Sequence, residues 1–145
     1  MERYLAKIST LLVEPREHTR TVSKVFAAKP SPDREVMAGK LFGFAELHAG
    51  NDRAAALLNL LLEEIREGTY GASFAAAAGR VPNLEENFHA VLQRANDVVA
   101  KFLESGGSGV KLDRSTVLLG CVRQHQLVLS TVGPACGFLF HYQPR

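Results

Sequence analysis

The sequence has little cysteine, no tryptophan and no long apolar run. Two cysteines, Cys121 and Cys136, are too few for a disulfide framework, and both lie in apolar, strand-like segments, so we expect buried free thiols. The longest apolar run, LLNLLL, is far shorter than the roughly 20 residues that span a bilayer. The N-terminus also lacks the features of a secretory signal. These absences predict a cytoplasmic protein with no membrane partner.

An excess of charge of one sign is also missing. The chain carries 17 basic and 15 acidic side chains, for a formal net charge of +2, and the basic residues are scattered. Because a phosphate backbone is bound by clustered positive charge, we expect no nucleic-acid partner. The composition, 46% hydrophobic and 22% charged, is that of a globular protein. Residues 1–145 are long enough to form one domain with a core of its own.

Strand-like segments lie at both ends of the sequence. They are short and rich in β-branched and aromatic residues, although the first also fits a short helix. Residues 30–33, PSPD, are interpreted as a break, and Arg123–Gln124 as a tight connection between two strands. The predicted strands are 3–14, 19–28, 36–46, 115–122, 125–132 and 136–142.

Two amphipathic helices are predicted between these groups of strands. The first has Asn51 as N-cap, Gly68 after its end, and an apolar stripe. The second begins at Asn83, with Glu86 three residues on, and ends before Gly106. The order β-β-β-α-α-β-β-β predicts an α+β domain: a mostly antiparallel sheet with an antiparallel helix pair packed on one face. The stripe of the first helix comprises Ala54, Leu57, Leu58, Leu61, Leu62 and Ile65.

The residues alone give weak signals for catalysis. Glu46 and His48 are two positions apart, but a catalytic zinc site needs about three protein ligands. No H-x-x-x-H or C-x-x-C spacing occurs, and no histidine is fixed beside Cys136 by the sequence. The segment ESGGSGVK follows a helix and lacks the spacing of a phosphate-binding loop. We therefore predict no catalytic residue and no cofactor-binding residue.

Three segments together resemble the N-terminal half of type 2C, metal-dependent Ser/Thr protein phosphatases, over about residues 20–142. LFGFAELHAG is similar to the family's V-A-D-G-H-G-G signature, in which the Asp bridges two Mg²⁺ or Mn²⁺ ions. VLQRANDVVAKF resembles the family's second long helix, which often has an Ala-Asn pair, as at Ala95–Asn96. DRSTVLLGCVRQHQLVLSTVGPACGFLFH resembles the hairpin that leads to V-G-D-S-R-x-Y-L.

The differences from this pattern lie at positions that carry the family's catalytic chemistry. Glu46 stands where the bridging Asp belongs and Leu47 replaces the following Gly. Val22 and Ser23 stand where the family has acids, and Pro134 occupies the position of the Asp in G-D-S-R. The family's remaining metal-binding aspartates belong to a second half that this chain lacks. The resemblance thus implies that Glu46 is a vestigial metal ligand, that no cofactor is needed, and that the domain is an inactive phosphatase-like (pseudophosphatase) binding or assembly module.

Two alternatives stay open. In the first, the domain is a divergent Mg²⁺- or Mn²⁺-dependent phosphatase that combines Glu46 with carboxylates from a partner chain or an absent segment. In the second, the chain is an unrelated α+β domain and Glu46 is a solvated turn residue. In the first alternative, the acids close enough to predicted strand ends to act together with Glu46 are Glu14, Glu17, Asp33 and Asp113.

Half of a two-sheet sandwich would expose an apolar sheet face and an open edge. The segments LLGCV and LVLSTV would contribute to that face. A contiguous apolar patch usually marks an interface. We therefore expect either a fragment of a longer protein or a domain that binds a protein partner, or a second copy of itself, through the terminal β-hairpin.

Overall fold

Four antiparallel strands and three helices make up the described part of the chain. The computed structural model describes residues 8–10, 21–30, 32–49, 53–71, 83–106, 109–134 and 137. The elements are β1 (Thr21–Ala28), α1 (Pro32–Ala38), β2 (Lys40–Ala49), α2 (Arg53–Tyr70), α3 (Leu84–Glu104), β3 (Val110–Arg123) and β4 (Gln126–Val132). The predicted α+β class is confirmed.

The strands form one sheet in the order β1-β2-β3-β4, and each strand is antiparallel to its neighbour. β2 lies inside the sheet, where Gly43 pairs with Phe26 of β1 and with Leu119 of β3. Every described strand pairs with its neighbour in sequence, and the two long helices connect β2 to β3. The helix pair therefore joins two strands that lie side by side.

Helices α2 and α3 run antiparallel, as predicted. Arg53, at the start of α2, donates a hydrogen bond to the carbonyl of Gly106, beyond the end of α3. Further along, Arg94 Nη2 lies 2.7 Å from Glu64 Oε1. Near the other end, Gly68 of α2 contacts Val91 of α3. From one contact to the next, the residue number rises along α2 and falls along α3, as it does in an antiparallel helix pair.

The core lies between this helix pair and one face of the sheet. Strand β2 alternates between buried and partly exposed residues from Leu41 to His48, as expected for a strand with one face in the core. Full burial of a valine, leucine, isoleucine or phenylalanine side chain stabilises the folded state by about 1.5–3 kcal/mol. The buried residues form two clusters, one with Leu41, Leu61, Ile65, Leu84, Phe88, Val91, Ala95, Leu119 and Cys121, the other with Ala45, Leu47, Ala54, Leu57, Leu58 and Leu62.

The prediction that a strand starts at Val36 is wrong, because residues 32–38 form α1. Pro32, interpreted as a breaker, is the first residue of the helix, where its fixed φ and missing N–H are tolerated. Gly39 follows the helix with φ +76°, and its N–H donates to the carbonyl of Glu35 at 2.9 Å. This left-handed residue ends the helix and lets β2 begin at Lys40.

Gly68 does not end the first long helix, which continues to Tyr70. Gly68 is buried, and a Cβ atom there would lie 3.0 Å from Val91 Cγ2. The glycine thus serves close helix packing rather than termination. The predicted N-cap Asn51 lies outside the described residues.

The start of α3 is confirmed. Asn83 is the N-cap, and its side chain accepts a hydrogen bond from the N–H of Glu85 at 3.0 Å. Such a cap satisfies one of the backbone donors that the first helical turn leaves unpaired. The helix ends at Glu104, and Gly106 follows with φ +95°, close to the predicted end.

The last hairpin is displaced by one residue from the prediction. Arg123 pairs with Gln126 in the ladder, so the turn is Gln124–His125 rather than Arg123–Gln124. Arg123 is buried and donates to Gln126 Oε1 at 3.0 Å and to the carbonyl of Met37 at 3.3 Å, which holds it in the strand. β3 also begins five residues earlier than predicted, at Val110.

The predicted strands 3–14 and 136–142 lie mostly outside the described residues, and Ile8–Thr10 and Gly137 are not in strands. Cys121 is a buried free thiol, as expected, and burial raises its pKa to about 11. Cys136 is outside the described residues. None of the helices in the described part of the chain has the length and apolar character that a membrane crossing requires.

Candidate functional site

The face of the sheet opposite α2 and α3, here called the distal face, carries the candidate site. Its residues alternate with those that contact the helices, and the strand register aligns them in rows. One end of this face is polar and the other is apolar. The distal-face residues are Thr21, Ser23, Val25 and Ala27 on β1, Phe42, Phe44, Glu46 and His48 on β2, Thr116, Leu118, Gly120 and Val122 on β3, and Leu127, Leu129 and Thr131 on β4.

Glu46 is held by two neighbours at the polar end. Its cross-strand partner Ser23 donates a hydrogen bond from Oγ to Glu46 Oε2 at 3.2 Å. His48 Nε2 lies 3.5 Å from Glu46 Oε1. The His48 and Glu46 side chains are 35% and 33% exposed. β2 continues through Ala49, so Glu46 and His48 project from the same side of a strand, one of the two geometries left open by the sequence.

A break in the β2–β3 register lies beside this pair. Glu46 pairs with Thr116, whereas His48 pairs with Lys111, so β3 has three more residues than β2 between these two pairs. Ser115 holds the irregular segment: its hydroxyl donates to the carbonyl of Lys111 at 2.8 Å and accepts from the N–H of His48 at 3.3 Å. Such bulges change the direction of a strand and of its side chains.

Leu47 belongs to the core rather than to a turn. It is 2% exposed and belongs to the cluster with Leu57 and Leu58 on the helix side of the sheet. A glycine at this position would leave a cavity in that cluster. Leu47 therefore has a structural role in the core.

Among the described candidate residues, none joins Glu46 in a larger acidic site. Val22 packs against the core cluster that contains Leu47, and Asp113 and Pro134 are exposed. Within the described residues no three His, Cys, Asp or Glu side chains are close enough to share a metal ion. Glu14 and Glu17, and the side chain of Asp33, lie outside what the structure describes.

The apolar end contains a groove that the sequence analysis did not predict. Its volume is about 280 Å³, and its walls are Ile8, Ser9, Thr10, Val25, Phe42, Gly43, Phe44 and Leu118. The sequence pattern predicts a strand over residues 3–14, whereas Ile8–Thr10 lies in no strand. The available signal was the spacing of Phe42 and Phe44, which places both aromatic side chains on the face opposite Leu41.

Exposed leucines extend the apolar surface onto β4. Leu127 is 40% exposed and Leu129 is 45% exposed. Leu129 pairs with Gly120, over which the ring of Phe42 lies. The apolar part of the distal face thus runs from the groove to the last described strand.

The chain matches no family model, no curated protein and no solved structure in the three comparisons made.

Proposed function

We propose that this chain is a catalytically inactive domain of the type 2C phosphatase kind that works as an assembly module and pairs with a second copy of itself through the distal face. The observation that carries the proposal is the pair of exposed leucines, Leu127 and Leu129, beside the apolar groove. An apolar surface of this kind gains stability when another chain covers it.

The position of these leucines favours pairing between sheets. Both lie on β4, at one end of the order of described strands, and both project from the distal face. A second sheet laid on this face would cover the leucines together with Phe42 and Leu118. A two-fold arrangement satisfies this geometry with a single surface, because the same patch serves on both copies.

The contacts of Glu46 at the polar end support the proposal that the domain is catalytically inactive. Both Glu46 carboxylate oxygens have partners inside the sheet, Ser23 and His48, so the carboxylate has a structural role as it stands. A two-cation centre draws on several converging carboxylates. Among the described residues, Glu46 and His48 bring one carboxylate and one imidazole to this place. Further ligands for the phosphatase alternative would come from another chain or from outside the described residues.

The assembly function is tested by placing a charge on the distal face. We expect Leu129→Glu to shift the protein from oligomer to monomer in light scattering, because a carboxylate would be buried at the interface. Leu60→Glu is the matched control: Leu60 has the same 45% exposure but lies on α2, away from the distal face. Circular dichroism should show both variants folded.

Two results would contradict the proposal. One is a wild-type protein that stays monomeric at every concentration tested. The other is a Leu60→Glu variant that dissociates as fully as Leu129→Glu, since the effect would then come from added charge and not from the distal face.

A further inference from the structure

The segment Ile8–Thr10, here called the strap, lies over the distal face. It contributes three of the residues that line the groove, and the others come from β1, β2 and β3. The sheet and the strap are separated in sequence by at least ten residues. The groove is therefore bounded on one side by the sheet and on another by a segment that belongs to no strand or helix.

Ile8 is the least exposed residue of the strap. It is partly buried, whereas Ser9 and Thr10 are exposed. The groove that Ile8 lines is also lined by the apolar side chains of Val25, Phe42, Phe44 and Leu118. An isoleucine at an apolar groove lowers the apolar area that is exposed to water.

We propose that the strap is an intramolecular cover that competes with the binding partner for the apolar part of the distal face. A second sheet on this face would meet Phe42 and Phe44, the same side chains that line the groove beneath the strap. The cover depends only on the groove lining and on the partial burial of Ile8, and the competition rests on the proposed function.

The effect of the cover on the strength of association can be estimated. A protein whose binding-competent state is only partly populated binds its partner more weakly in proportion to that fraction. If the covered state makes up about nine-tenths of the molecules, and both copies must be uncovered to pair, loss of the cover strengthens self-association by about a hundredfold.

The experiment compares Ile8→Gln with Ser9→Gln in the full chain. Ser9→Gln is the matched control, because it adds the same amide at the neighbouring, exposed position. We expect Ile8→Gln to increase the fluorescence of a dye that binds apolar surfaces and to lower the dissociation constant of self-association by up to about a hundredfold. Ser9→Gln should change neither quantity. The milder Ile8→Val, which removes one methylene, should give an intermediate dye signal without unfolding the domain.

The dye and the association report on different parts of the proposal. Equal dye fluorescence for Ile8→Gln, Ile8→Val and Ser9→Gln, with cooperative melting retained, would overturn the cover. Increased dye fluorescence with unchanged self-association would retain the cover and overturn its competition with a second copy. Absence of self-association in every form, with increased dye fluorescence in Ile8→Gln, would overturn the proposed assembly while leaving the cover standing.

Discussion

Tyr70 shows how one side chain holds several elements together. Its hydroxyl accepts a hydrogen bond from the N–H of Leu41 at 2.7 Å and lies 2.9 Å from the carbonyl of Ala28 and 3.3 Å from that of Gly39. The end of α2 is thereby tied to the end of β1 and the start of β2. Burial raises the pKa of Tyr70 well above its usual value, so the hydroxyl keeps the proton that it donates.

We expect Tyr70→Phe to lower the free energy of unfolding by about 1–3 kcal/mol, because buried backbone groups lose a partner. Urea unfolding followed by circular dichroism measures the change. Thr69→Val is the control: its hydroxyl donates to the carbonyl of Ile65 within the same helix, so its removal leaves no backbone donor unpaired. A loss for Tyr70→Phe no larger than that for Thr69→Val would show that the bridge contributes little.

Part of the candidate site could be predicted from the spacing of single residues in the sequence. The two-residue spacing of Glu46 and His48 permitted the observed contact on one side of a strand. The Ser23 contact could not be predicted, because it depends on the register between β1 and β2. Register is set by long-range packing, which a local pattern does not contain. Whether Glu46 is a vestige of a metal site stays a prediction.

At the scale of elements, helix packing depends on Gly68. A Cβ atom at this position would lie 3.0 Å from Val91 Cγ2, and valine is a β-branched residue with few rotamers in a helix. Adding the methyl group forces α2 and α3 apart, although alanine favours the helix by about 1 kcal/mol over glycine.

A double-mutant cycle tests this packing. We expect Gly68→Ala to destabilise the wild-type protein. In a Val91→Ala background, the same change should stabilise the domain by up to about 1 kcal/mol, because the obstruction is gone and the helix preference remains. Chemical denaturation of the four proteins gives the coupling energy. Identical effects of Gly68→Ala in both backgrounds would place the constraint elsewhere.

Elements were predicted well where periodicity was long and poorly where one residue had two possible roles. The helices α2 and α3 followed from their apolar stripes. Gly68 fits a helix end as well as a close approach between helices, because glycine serves both. Pro32 fits a break as well as a helix start, because proline both ends helices and begins them. Neighbouring elements decide between such roles, and a local sequence pattern does not identify them.

At the scale of the whole molecule, the fold places a polar end and an apolar end on the same sheet face. Helices α2 and α3 cover the other face, so both the proposed assembly and the metal binding of the phosphatase alternative would take place on the distal face. A second copy and a metal ion would each stabilise the folded domain by binding to it. The unfolding midpoint should therefore rise with protein concentration in the first case and with metal concentration in the second.

Thermal unfolding separates them. We expect the midpoint to rise with protein concentration and to stay the same in millimolar Mn²⁺, because the partner is a second chain and Glu46 is engaged by Ser23 and His48. A bound metal at a hundredfold excess over its dissociation constant would add about 2.7 kcal/mol. Glu46→Gln is the matched variant, since it keeps the size of the side chain and removes its charge. A rise with Mn²⁺ in the wild type that disappears in Glu46→Gln would favour the metal-dependent phosphatase, because Glu46 would then be a working ligand.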